Sequence, residues 1–159
     1  MLIFNGFGSF YYHYYLSWFG KHLDELTMIF AAYTGITGII KILDIDKRNH
    51  LIAIDTYTML MIIINTIPKH NGAFAFLYFI YIDLLLYYIY LLKIKIPDLN
   101  IHPLQLSFFG FISWTVSEIL CNRYLYYGHS IWHILFPLGF IKFIDNLNNS
   151  LLDFSRLSL

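Results

Sequence analysis

Of 159 residues, 58% are hydrophobic, 20% aromatic and only 13% charged, where a soluble domain carries about a quarter charged residues. A water-soluble fold of this length cannot hide so much apolar surface, so the composition predicts an integral membrane protein. Ten basic residues balance ten acidic ones, which excludes the electrostatic footprint of a nucleic-acid binder.

A bilayer core about 30 Å thick takes about 17–25 mostly apolar residues per helix. Polar clusters cut the chain into pieces of that size, at residues 2–19, 24–43, 51–67, 72–92, 103–121 and 127–145. The predicted breaks are Gly20-Lys21-His22, Asp44 to His50, Pro68 to Gly72, Lys93 to His102 and Asn122 to Gly128, where Pro, Gly and charge mark helix ends. The runs are too long for strands and do not alternate, and only helices or closed barrels satisfy the backbone in lipid. The expected fold is all-α, a polytopic bundle of about six helices forming one domain over residues 1–159. The start lacks a basic n-region and a small-residue cleavage site, so it reads as mature sequence. A lone Cys121 closes no internal disulfide.

In chain order, the first segment carries Ser9 and His13, one helical turn apart on one face. Asp24 opens the second segment. Asp55 of the third and Asp83 of the fourth are expected to make interhelical hydrogen bonds, as is Glu118 near the end of the fifth. His129 opens the sixth, with His133 four residues on, so both imidazoles share one helix face. Histidines 22, 50, 70 and 102 fall in or beside the predicted loops and are expected to be solvated or to face headgroups. Asp44, Asp46, Lys47 and Arg48 form an expected solvated turn without calcium-ligand spacing. Tyr/Phe clusters at 10–15, 87–90 and 124–127 fit interfacial belts.

Six alternating helices put loops two and four on one face with both termini. That face carries Lys41, Lys47, Arg48, Lys93, Lys95, Lys142 and Arg156, against Lys21, Lys69 and Arg123 on the other. The positive-inside rule places both termini in the cytosol. The same parity puts His13, Asp24, His129 and His133 at similar membrane depth.

Two readings of the histidines stand at this level: a packed, hydrogen-bonded set, or a metal site. Polar side chains inside spanning segments are costly and usually face a functional cavity. Three histidines with no evident fourth protein ligand match the ligand count of a catalytic zinc, an ion that lowers the pKa of water from 15.7 to about 7. Asp24 is then the candidate proton shuttle, and Ser9 the candidate donor to a developing oxyanion.

Gly8-Ser9 with His13, then Leu23-Asp24-Glu25-Leu26 followed by Met28, then His129-Ser130 with Trp132-His133, make the chain resemble the alkaline ceramidases. These belong to the superfamily of seven-helix membrane hydrolases that includes the adiponectin receptors. Trp114 and Cys121 match a weaker block of the same family. The resemblance implies zinc held by His13, His129 and His133, with Asp24 as the acid-base residue and Ser9 as a hydrogen-bonding partner. It also implies hydrolysis of the ceramide amide to sphingosine and a fatty acid, in the endoplasmic reticulum or Golgi membrane for a eukaryotic-type chain, with a cytosolic C-terminus.

Three departures accompany the likeness. Thr27 stands where the family usually has proline, and Ser117 where it more often has Asp, with Glu118 beside it. The chain begins just before the Ser-x-x-x-His helix, so the family's first helix and its acidic calcium-binding segment are expected to be absent, and with them the calcium site. A second copy or a partner helix would then fill the gap. Two other functions compete: a catalytically degenerate relative with a structural or receptor role, and a haem protein using His13 with His129 or His133 as axial ligands.

Overall fold

In the computed structural model, the residues described are 11, 14, 15, 17–67, 71–120 and 127–157. They form five long helices and no strand: α1 Trp18–Leu43, α2 Lys47–Asn65, α3 Asn71–Lys95, α4 Leu104–Leu120 and α5 Tyr127–Leu157. The all-α expectation holds. The predicted first segment, residues 2–19, lies for the most part outside the described residues.

The chain divides into two compact units, Met1–Lys95 and Ile96–Leu159. In the first unit α1 packs on both α2 and α3, and α2 also meets α3. Helix α1 starts at a serine cap, with the Ser17 hydroxyl accepting from Gly20 N at 3.0 Å. The expected break at Gly20-Lys21-His22 is therefore a stretch of continuous helix. Its polar residues sit in the first turns of α1, where Ser17 satisfies one of the amides that a helix start leaves open.

At its other end α1 stops on Asp44, the single non-glycine residue described with positive φ, at 56°. The last carbonyls of α1, those of Ile42 and Leu43, accept from Lys95 Nζ at 2.9 and 2.8 Å, so the end of α3 caps the end of α1. Asp44 pairs with Lys47 on the surface, and the ammonium holds this carboxyl below the usual carboxylate range. That fits the expected solvated turn.

Met28, Ala32, Ile36 and Ile40 form a buried stripe along α1, and Tyr78, Tyr81, Leu85 and Leu92 are buried positions along α3. The buried face of α2 is Ile54, Thr58, Met61 and Asn65, two of them polar. Thr58 meets Tyr81 Oη at 2.6 Å, Tyr33 Oη donates to Asp55 at 2.9 Å, and His50 Nδ1 meets Tyr88 Oη at 2.8 Å. Asp55 makes its expected interhelical bond, whereas Asp83 is exposed. His50 departs from its solvated expectation, because the tyrosine offers it a partner that sequence spacing does not reveal.

In the second unit α4 and α5 pack along their lengths. Gly128 faces Ser113 and Ser117, Gly110 faces Leu135 and Phe136, and Gly139 faces Pro103 and Ser107. The contacts run in opposite order along the two helices, so the pair is antiparallel. A Cβ on Gly139 would stand 2.7 Å from both Pro103 O and Ser107 N, and closer still to Ser107 Oγ. The glycine is what lets the backbones approach. Aromatic rings fill the seam, with Trp132 5.9 Å from both Phe111 and Trp114 and 4.0 Å from Phe136 between centroids.

Among the described residues, two helices, Trp18–Leu43 and Gly72–Lys95, are long and apolar enough, by length and composition, to cross a membrane.

Candidate functional site

Four ionisable or polar residues of the candidate region, Lys21, His22, Asp24 and Glu25, occupy the first two turns of α1. Asp24 is 2% exposed. Its Oδ1 is sealed from solvent, its main-chain carbonyl accepts from Thr27 Oγ1 at 2.8 Å, and the buried Tyr78 of α3 lies within its electrostatic reach. Thr27, the departure from the usual proline, thus ties a hydroxyl back onto the turn that carries Asp24.

Glu25, 6% exposed, is equally interior. Asn65 Nδ2 donates to its Oε2 at 2.7 Å, and Lys21 Nζ stands 3.5 Å from its Oε1. The same Asn65 amide turns its Oδ1 to His22 Nδ1 at 2.9 Å. Trp18 closes over His22 edge-on, with ring centroids 3.9 Å apart. His22 is therefore bound inside the helix pair rather than solvated, because α1 begins before it. This cluster was not singled out by sequence reasoning. Only the Leu23-Asp24-Glu25-Leu26 block hinted that Glu25 does more than flank Asp24, and the partner lies 40 residues away.

His133 sits on α5, half-buried, with its Nε2 sealed from solvent. It follows Trp132, which is 2% exposed. Pro137, inside α5, lacks the N–H that would bond the His133 carbonyl one turn back. The α5 backbone places His129 one turn before His133, as the spacing predicts. The side chains of His129 and Glu118 lie outside the described residues, as do Ser9, His13 and His70 entirely. Ser117 donates to the Trp114 carbonyl at 2.7 Å, a bond within α4. His102 is exposed, as expected, with its N–H on Asn100 Oδ1 at 3.0 Å.

Among the described residues no three metal-ligating side chains converge, and two of the three expected ligands are not in that set. The one expected ligand whose side chain is described suits zinc by type: the His133 imidazole has a nitrogen buried away from water.

A buried carboxylate in the first unit and histidines at i, i+4 spacing in the second belong to an all-helical chain with a largely apolar surface. The chain belongs to the ceramidase family, whose sequence model matches residues 1–150. The match spans all three blocks. No curated protein and no solved structure shows significant similarity to the chain.

Proposed function

We propose that the chain is a zinc-dependent hydrolase that cleaves the amide bond of ceramide or a closely related membrane lipid. The observation that carries this reading is the burial of Asp24 within the family-matched helix start, where a carboxylate is costly unless it has work or partners. His13, His129 and His133 are the residues that would hold zinc, which when bound supplies a Lewis acid to polarise the amide carbonyl.

The chain's own residues supply the proton traffic. Asp24 takes a proton as water adds to the amide carbon, and returns it to the nitrogen as the C–N bond breaks. The products are a fatty acid and a sphingoid amine. Ser9 donates a hydrogen bond to the oxygen that gathers charge in this step.

A lipid substrate also accords with the surface. Trp18, Phe19, Met59, Phe76, Tyr90, Phe109 and Ile134 are all exposed large hydrophobics, an arrangement that water penalises and a bilayer does not. Helix α1, at 26 residues, is about 39 Å long at 1.5 Å per residue, enough for a hydrocarbon core of about 30 Å. We place the chain in the membrane as a multi-pass protein with its C-terminus cytosolic.

The test is release of sphingoid base and fatty acid from ceramide by the purified chain in lipid nanodiscs. Activity should vanish with a zinc chelator and return with added zinc. Full zinc loading with no turnover would favour a non-catalytic member of the family.

A further inference from the structure

We propose that Asn65 is a positioning residue for Asp24: its amide ties His22 and Glu25 to the end of α2 and so fixes the rotation of the α1 turn that carries Asp24. The kinetic consequence rests on the hydrolase reading above, whereas the clamp itself does not.

Asn65 is the last residue of α2 and only 4% exposed. A buried amide with no role would be replaced at a gain by an apolar residue. Here both ends of the amide are used, and both partners sit on α1. The amide nitrogen donates to Glu25 and its Oδ1 faces His22 Nδ1, which donates to it in the tautomer that carries the ring proton on Nδ1. Both polar ends of one side chain are thus engaged on the same helix.

The helix geometry turns this pairing into aim. At about 100° per residue, His22 and Glu25 lie about 60° apart on α1, while Asp24 lies about 100° from Glu25 and about 160° from His22. Asn65 thus grips one face of the turn while Asp24 occupies another. Two bonds on one face resist both rotation and sliding of the turn, which a single bond would not. Misplacing a reacting group by 1 Å costs about 10²-fold in rate.

The experiment uses the full chain in nanodiscs with ceramide as substrate, and reads kcat, KM, His22 ¹⁵N chemical shifts and carbodiimide labelling of Asp24. Asn65→Leu, which removes both bonds at similar volume, should lower kcat by about 10-fold to 10²-fold with KM changed less than about 3-fold. It should also abolish the Nδ1–H signature of His22 and raise the labelling of Asp24. In an Asp24→Asn background the same change should cost nothing further.

Asn65→Asp sets a carboxylate against Glu25 and should be as slow. Adding Glu25→Gln to it restores a donor–acceptor pair with reversed polarity, and should recover kcat to within about 3-fold of wild type. A residue that served packing alone would show neither this rescue nor the dependence on Asp24. The proposal is overturned if Asn65→Leu keeps wild-type kcat, if the reversed pair gives no rescue, or if the loss persists undiminished with Asp24→Asn. Should the wild-type chain prove inactive while Asn65→Leu still shifts His22 and exposes Asp24, the clamp stands and the hydrolase reading falls. Unchanged His22 shifts and Asp24 labelling would remove the clamp whatever the activity.

Discussion

Asp24 and Glu25 are adjacent carboxylates with separate assignments, set by the helix faces they occupy. Glu25 is held by Asn65 and Lys21, while Asp24 is turned away and sealed from solvent. Changing Asp24→Asn keeps the shape and removes the proton acceptor. Ceramide hydrolysis should then fall by about 10²-fold to 10⁴-fold with zinc content unchanged, as read by product release and metal analysis on the same preparation. His133→Ala should lose zinc and activity together, because a three-ligand site does not hold its metal on two. Equal zinc content in that variant and the wild type would remove His133 from the ligand set. At this scale the sequence exposed Asp24 and the spacing of His129 and His133, since period and motif are local. It could not expose Asn65, because nothing near residue 65 marks it apart from a helix end and its partners are 40 and 43 residues away.

Among the elements, α4 and α5 depend on glycine in a way that α1 does not. A Cβ at Gly139 would press into the backbone of α4, while at Gly38 it would meet nothing within 4 Å. Gly139→Ala should therefore destabilise the chain by about 1–3 kcal/mol. Gly38→Ala should be neutral or stabilising by up to about 1 kcal/mol, since alanine is the better helix former. Thermal unfolding of both variants in the same detergent checks the pair, and equal midpoints would contradict the described packing. The element boundaries were legible where proline falls between hydrophobic runs, as at Lys93 to His102, where α3 ends at Lys95 and α4 begins at Leu104. They were not legible at Gly20-Lys21-His22, where polarity suggests a loop but the cap is three residues earlier, at Ser17. His22 and His50 were misplaced for related reasons: one by that boundary, the other because its partner Tyr88 sits on a different helix.

On the scale of the whole molecule, the apolar exterior and the charge asymmetry jointly predict an orientation. A reporter fused after Leu159 should be cytosolic and one inserted near Asn71 lumenal or external. Both on one side would mean that the number of crossings between them is not what the six-segment reading requires. Helical class was legible from composition and run length alone, because long apolar runs leave the polar backbone few ways to satisfy its hydrogen bonds away from water. The division into units Met1–Lys95 and Ile96–Leu159 was not, since it reflects which helices pair rather than how apolar each one is.

The central claim, the proposal that this family member is a zinc hydrolase working through Asp24, is tested most directly by ceramide turnover of the purified chain. The wild type and Asp24→Asn would be compared at matched zinc loading. The expected result is release of sphingoid base and fatty acid by the wild type, abolished by chelation, with the variant slower by about 10²-fold or more at equal zinc. A zinc-loaded, folded wild type indistinguishable from Asp24→Asn would contradict it.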